Sequence, residues 1–389
     1  MMEIELWWLL PLLVVFFAMG WIAARIDIKH LLRESRALPL SYFRGLNFLL
    51  NEQPDKAIES FIEVVKVDPQ TVDLHFALGS LFRRSGEVDR AINLHLNLLD
   101  RKELPTAQRQ AVKAELAQDY LKAGLFDRAE ELFSSLDDSR YQQPALRALL
   151  EIYIREREWE RAIKSATELE RISGVPFRKE IAQFYCEMAM KSILENDTHT
   201  ARHELESALD ANKNCIRANV MLGDMEAATG AHKVAISFWK RIEFQEPEYL
   251  GLVAPKLLTS YRALNKIEEG VDLINYYFKT YKLPSLLSVV YEITLAEQGA
   301  ESAGSLARDE LERKPSLQTL EHLLKARALT GTVDKDDTRL MQQTVRNAIG
   351  NRNAYGCDQC GFKARNFHWQ CPACNAWESI SPEPKESAT

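Results

Sequence analysis

Four cysteines near the carboxyl end carry the strongest chemical signal in the chain. Two residues separate Cys357 from Cys360 and Cys371 from Cys374, and ten residues lie between the two pairs. Two close cysteine pairs let four thiolates converge on one ion with tetrahedral geometry. Because segment 355–377 is too short to bury a sufficient core, a bound metal must supply its folding free energy. The sequence therefore predicts a metal site at these four cysteines.

Paired disulfides and free surface thiols are the competing interpretations of the four cysteines. The cytoplasmic location inferred below from the amino terminus disfavours disulfides, and the paired spacing disfavours free thiols. Zinc and iron both accept four sulfur ligands, so the metal stays open. The pattern resembles a rubredoxin-type metal knuckle, but ten intervening residues are far fewer than in rubredoxin, which argues against electron transfer. His368 is expected at the surface or beside the ligands. The expected apolar shell is Tyr355, Phe362, Phe367, Trp369 and Trp377.

The amino-terminal segment is long and apolar enough to cross a membrane once. Residues 6–24 contain no charged side chain, and nineteen helical residues nearly match the hydrocarbon core of a bilayer. Basic residues follow the segment and acidic ones precede it, so the positive-inside rule places the bulk of the chain in the cytoplasm and the amino terminus outside. A cleaved signal peptide is the alternative, but it needs a basic leader. We expect a transmembrane anchor at 1–28 and a basic linker at 29–40.

The middle of the chain repeats with a period of 34 residues. Gly45, Phe48, Asp55, Ala57 and Ile58 recur as Gly79, Phe82, Asp89, Ala91 and Ile92. Further small residues continue the pattern at Ala129, Ala162, Ala201, Ala235, Gly270 and Ala303. This pattern resembles the tetratricopeptide repeat, in which stacked helix pairs form an all-α superhelical solenoid. We expect this array over residues 41–349, with about eight helix pairs and a degenerate ninth from Leu317 to Ile349.

Protein binding is the expected role of the array. The first helix of each pair lines a concave surface, and four charged residues are predicted to point into it and contact a partner: Asp73, Arg83, Arg217 and Asp224.

The chain has 389 residues and 56 acidic against 49 basic side chains, so it lacks the basic footprint that nucleic-acid binding requires. It contains no phosphate loop, dinucleotide fingerprint or zinc-protease motif, so we expect no enzyme and no catalytic residue. Cys186 and Cys215 are interpreted as small core residues, and 378–389 as a disordered tail.

The order of these parts resembles the lipopolysaccharide assembly protein B family of Gram-negative bacteria. The motifs that carry the resemblance are Gly45 to Leu50, Gly86 to Ile92, Ala123 to Glu130, and Trp369-Gln370-Cys371-Pro372. The resemblance implies an inner-membrane adaptor with one iron ion at the four cysteines. It would promote proteolysis of the lipid A pathway deacetylase by a membrane AAA protease. The alternative is a redox or metal-sensing scaffold that assembles lipopolysaccharide enzymes without affecting their turnover. A homodimer stays open.

Overall fold

The structure is a computed structural model that describes residues 15–21, 40–67, 72–331, 335–350 and 353–384. The predicted anchor and basic linker lie mostly outside these residues. Residues 15–21 are helical, and their large apolar side chains are exposed. In the part of the chain that the structure describes, no helix combines the length and apolar character needed to cross a membrane.

The described part of the chain is built from helical hairpins, which confirms the predicted all-α array. The helices of the first four hairpins are α1 (Leu40–Leu50), α2 (Pro54–Val67), α3 (Val72–Arg84), α4 (Val88–Leu99), α5 (Thr106–Ala123), α6 (Phe126–Ser134), α7 (Ser139–Glu156) and α8 (Trp159–Ser173). The next two hairpins and a short connecting helix are α9 (Arg178–Leu194), α10 (Thr198–Ala211), α11 (Ile216–Ala228), α12 (His232–Lys240) and α13 (Ile242–Gln245). The last three hairpins are α14 (Leu250–Ala263), α15 (Ile267–Tyr281), α16 (Pro284–Gln298), α17 (Ala300–Arg313), α18 (Leu317–Thr330) and α19 (Lys335–Gly350).

Glycines on the first helix of a hairpin let a ring from the second helix approach its backbone. A Cβ atom added at Gly45 would lie 2.8 Å from the Phe61 ring, and one at Gly79 would lie 2.4 Å from the His95 ring. At Gly223 the added atom would lie 2.2 Å from Trp239 Nε1. Any larger residue at these positions would force the ring or the two helices to shift. The predicted small residues on the second helices are also buried, and the alanines among them are fully inaccessible.

The chain divides into two compact units, Met1–Ala148 and Leu149–Thr389. The first unit contains a polar cluster that is partly buried. Arg83 on α3 forms ion pairs with Glu115 and Asp119 of α5, at 2.6 and 2.5 Å. Asp119 also faces Nδ1 of the fully buried His95 at 2.5 Å. The cluster therefore links three helices of adjacent hairpins through the ion pairs of Arg83 and the contact between His95 and Asp119.

The second unit contains an apolar core and the carboxyl-terminal module. Trp239, Tyr249, Leu250 and Tyr277 are among its buried residues, and they join helices α12, α14 and α15. The module has two short antiparallel strands, β1 (Tyr355–Gly356) and β2 (Lys363–Ala364), which pair with each other. These strands position the first cysteine pair.

Candidate metal centre

Two similar backbone turns hold the four cysteines. In the first, Gly361 donates its backbone N–H to the Cys357 carbonyl at 3.0 Å and has a φ of +74°. In the second, Asn375 donates to the Cys371 carbonyl at 2.9 Å and has a φ of +58°. Glycine and asparagine are the residues that adopt this left-handed conformation most readily. Each turn thereby brings the two sulfurs of one Cys-x-x-Cys pair to the same side.

The sulfur atoms are spaced as a tetrahedral metal site requires. The Sγ atoms of Cys357 and Cys374 are 3.7 Å apart, as are those of Cys360 and Cys371. All four lie within 4.8 Å of one another. A zinc–sulfur bond of about 2.3 Å gives a tetrahedral edge of about 3.8 Å, so one ion fits at the centre. The structure therefore brings together all four predicted ligands, and His368, which is exposed, is not among them.

Ser379 adds a polar contact to the ligand set that the sequence pattern did not reveal. Its hydroxyl oxygen accepts from Cys357 Sγ at 3.3 Å, and its hydroxyl donates to the Ala376 carbonyl at 3.2 Å. The contact with Ser379 lowers the pKa of the Cys357 thiol to about 6. A lower thiol pKa increases the thiolate fraction near neutral pH, and the thiolate is the form that binds metal. Ser379 therefore favours the ligating form of Cys357.

The aromatic side chains of the module divide between two roles. Tyr355, Phe362 and Phe367 pack against the small core formed by Cys357, Cys371 and Ile380. Trp369 and Trp377 were expected to complete the same shell. Trp377 contacts the helical array, and Trp369 contacts both the Phe367 ring, at 5.0 Å between centroids, and the array. The difference has a physical reason, because so small a module cannot enclose two indole rings and must cover them against another surface.

Trp377 lies in an aromatic pocket of the array. Its ring centroid is 6.5 Å from that of Trp159 on α8 and 6.3 Å from that of Phe184 on α9, both in edge-on geometry. The Arg217 guanidinium lies 5.7 Å from the Trp377 centroid and pairs with Glu187 at 2.8 Å. Edge-on rings and a cation over an indole face both add to the stabilisation from burial.

A second contact lies further along the array, at Tyr249. Trp369 stacks on the Tyr249 ring with centroids 5.4 Å apart and an interplanar angle of 11°. Phe367 meets the same ring edge-on at 6.1 Å. Phe367 and Trp369 precede Cys371, and Trp377 follows it. The metal loop is thus fixed to the array on both sides of Cys371.

Residues 378–384 continue the contact. The Gln183 side chain donates to Glu378 at 2.7 Å, and Ser285 at the start of α16 donates its backbone N–H to Glu383 at 3.1 Å. Burial raises the pKa of both glutamates. Ser379 and Ile380 are buried, so the structure packs residues that the sequence analysis placed in a disordered tail beginning at 378. Their few apolar side chains gave no periodic signal.

Comparison with known families and proteins agrees with this architecture. The tetratricopeptide repeat family matches residues 44–105, and the rubredoxin metal binding domain family matches residues 355–382. Lipopolysaccharide assembly protein B of Escherichia coli K12 is 33% identical over 376 residues, which cover 95% of this chain and 96% of that protein. The chain belongs to the lipopolysaccharide assembly protein B family. The protein of that name from Haemophilus influenzae is 29% identical, with 95% and 96% coverage.

Among solved structures, yeast Tom70 matches this lipopolysaccharide assembly protein B family member at 12% identity and a TM-score of 0.31. The match covers 79% of this chain and 84% of that chain.

The four residues predicted to contact a partner have different surroundings. Asp73 is exposed on α3. Arg83 is engaged in the ion pairs with α5 described above. Arg217 is only 5% exposed and lies under Trp377. Asp224 pairs with Lys256 at 2.6 Å. Contact with a partner stays a prediction for all four. The sequence around Arg217 does not indicate that Trp377 covers it.

Proposed function

We propose that this chain is a membrane-anchored cytoplasmic adaptor that regulates lipopolysaccharide synthesis. It would promote proteolysis of the lipid A pathway deacetylase by a membrane AAA protease. In this proposal it has no catalytic residue of its own. The observation that carries the proposal is the match to Escherichia coli lipopolysaccharide assembly protein B over 95% of the chain.

The architecture supports an adaptor. Arrays of helical hairpins present long surfaces that hold other polypeptides. The proposed anchor, 1–28, would place the array at the inner membrane with the amino terminus of the chain in the periplasm. Confinement to one membrane raises the effective concentration of adaptor and protease, so weak contacts suffice. Other lipopolysaccharide assembly proteins are expected partners on the same surface.

The metal centre has a structural role in this proposal. One iron ion, or zinc as the alternative, would be held by Cys357, Cys360, Cys371 and Cys374, whose sulfur spacing fits one tetrahedral ion. Metal binding folds the module, and the folded module covers the pocket formed by Trp159, Phe184 and Arg217. The metal would therefore determine which part of the array is available to partners.

The test is the half-life of the deacetylase in cells depleted of this protein. We expect the half-life to lengthen several-fold and lipopolysaccharide to rise, with recovery when the full chain is restored. A Cys371→Ser chain should fail to restore turnover, whereas the matched control His368→Ala should succeed, because His368 is exposed and is not a ligand. An unchanged half-life on depletion would remove the proteolysis proposal.

A redox or metal-sensing scaffold is the second candidate, and the rubredoxin metal binding domain match at 355–382 favours it. In that case the metal would change oxidation state, and deacetylase turnover would not depend on the protein. Absorption spectra of the purified full chain distinguish the two roles. Ferric–thiolate bands that bleach and return with a reductant and an oxidant support sensing, whereas a colourless zinc protein supports a structural site.

A further inference from the structure

Two cysteines outside the metal centre lie side by side in the second unit. Cys186 is on α9, and Cys215 is the residue immediately before α11. Their Sγ atoms are 3.8 Å apart, and both side chains are fully buried. They are 29 residues apart in sequence and belong to consecutive hairpins, so a bond between them would join those hairpins covalently.

The two thiols have unequal surroundings. Cys215 occupies the N-cap position of α11, where backbone N–H groups have no helical partner and stabilise negative charge. The hydrogen bond with Cys186 lowers the pKa of Cys215, burial opposes that shift, and the Ala218 backbone N–H adds to the lowering. Burial raises the pKa of Cys186. Cys215 is therefore suited to be the thiolate of the pair, and Cys186 remains the protonated partner.

The pair lies beneath the docked module. Gln183 Nε2 is 3.8 Å from Cys215 Sγ and donates to Glu378 Oε1 at 2.7 Å. Arg217, two residues after Cys215, lies under the Trp377 ring. The segment Trp377-Glu378 thus closes the array surface over the cysteines, and a reagent reaches them most easily when that segment lifts.

We propose that Cys215 and Cys186 form a redox-active dithiol, which a peroxide oxidises to a disulfide and which the docked module protects. The inference is independent of the proposed adaptor function, since it uses neither the anchor nor a partner. The alternative is that the two residues only fill the core as small apolar side chains.

The reaction with hydrogen peroxide balances in two steps. The Cys215 thiolate attacks one peroxide oxygen, the O–O bond breaks, and hydroxide leaves to give a sulfenic acid at Cys215. Cys186 sulfur then attacks the sulfenic sulfur, so an S–S bond forms and the S–O bond breaks. The departing oxygen takes the Cys186 proton and leaves as water. The two thiols lose two electrons in total, which peroxide gains.

The geometry requires a small movement. A disulfide needs a sulfur–sulfur distance of about 2 Å, so the two sulfurs must close from 3.8 Å by a shift of under 2 Å shared between α9 and the start of α11. Exchange with a dithiol or glutathione would reverse the bond.

The test uses the full chain with metal bound. The protein is treated with increasing hydrogen peroxide, alkylated, digested and analysed by mass spectrometry, while metal content is followed in parallel. We expect a peptide pair joined through 186 and 215, two hydrogens lighter than the reduced pair and cleaved by dithiothreitol, at doses that leave the metal bound. Cys186→Ala should accumulate a sulfenic acid at Cys215 that dimedone traps, whereas Cys215→Ala should give no such product at Cys186.

Trp377→Ala tests the protective role of the module. We expect the 186–215 disulfide to form at least tenfold faster in this variant, with Trp377→Phe close to the unchanged chain because it keeps an aromatic ring in the pocket. The inference is overturned if 186 and 215 stay separately alkylatable in every chain at doses that oxidise the metal ligands. It is overturned equally if dimedone labels the two alanine variants to the same extent. In that case Cys215 would not be the thiol that peroxide attacks first. Circular dichroism verifies that each variant retains its helices.

Discussion

The second and sixth hairpins have the same internal packing and opposite exposure. Gly79 on α3 and Gly223 on α11 each accept a ring from the following helix, and they are 144 residues apart. At the same offset of 144 residues, Asp73 corresponds to Arg217. Asp73 is exposed, whereas Arg217 is 5% exposed beneath Trp377. The repeat position therefore determines how a hairpin packs, but it does not determine whether its first helix is open to solvent.

Charge distinguishes the two hairpins as well. In the second, Arg83 is balanced by Glu115 and Asp119 of the next hairpin. In the sixth, Arg217 is balanced by Glu187 of the preceding hairpin and also lies over an indole from the module. An arginine serves well here because its planar guanidinium can pair with a carboxylate and stack on a ring together. The sixth hairpin is thus adapted to an intramolecular contact with the module.

The largest expected effect is that loss of the metal unfolds the module and exposes the sixth hairpin beneath it. Cys371→Ser removes one of four ligands, so the module should lose its metal and unfold, because too little core remains without it. Far-UV circular dichroism should fall by only a small fraction, since neighbouring hairpins stabilise one another. Amide hydrogen exchange should rise in α9 and α11 but not in α3 and α4. His368→Ala is the matched control and should change neither signal. Complete loss of helicity would contradict this separation.

Trp377→Ala should uncover the sixth hairpin while the metal stays bound. Replacing a fully buried tryptophan by alanine costs about 3–5 kcal/mol of stability. Because Trp377 is only half-buried, its replacement should lower the free energy of docking by about 2 kcal/mol. Hydrogen exchange of α9, compared with that of α4, measures the loss. Trp377→Phe should recover about half of it. Equal protection of α9 in the alanine variant and the unchanged chain would show that Trp377 does not hold the module.

Packing inside the hairpins should respond alike at the two glycines. Gly223→Ala places a Cβ atom 2.2 Å from Trp239, and Gly79→Ala places one 2.4 Å from His95. Each should lower the free energy of unfolding by about 1–3 kcal/mol through overpacking. Gly350→Ala, with nothing within 4 Å, is the control and should be near neutral. Urea denaturation monitored by circular dichroism checks all three, and a tolerated Gly223→Ala would show that the ring can move away.

The sequence pattern predicted the features that depend on residues close to one another in the sequence. The recurrence of glycine and alanine at a 34-residue period was enough to place the close helix contacts, and the cysteine spacing was enough to place the ligands. The docking of the module was not predictable in this way. Gln183 and Glu378, which form one of its contacts, are 195 residues apart and belong to no shared motif. Cys186 and Cys215 are buried, as expected for small core residues, but their contact with each other was not predicted, because it depends on how two hairpins stack.

The smallest expected effect is a dependence of docking on pH. Burial raises the pKa of Glu378 above its ordinary value of 4.5, with Lys179 opposing the shift. The docked state therefore binds the proton more tightly, so docking is strongest below pH 4.5 and weakens as pH rises through the raised pKa. Between pH 5.5 and 8, hydrogen exchange of α9, corrected for the intrinsic pH dependence of exchange, should show protection falling. Glu378→Gln keeps the hydrogen-bonding oxygen without a charge and should reduce the slope of the profile, and the part that remains is assigned to Glu383, whose pKa burial also raises. Protection that increases with pH in the unchanged chain would mean that the ionised carboxylate, paired with Lys179, is the form that docks.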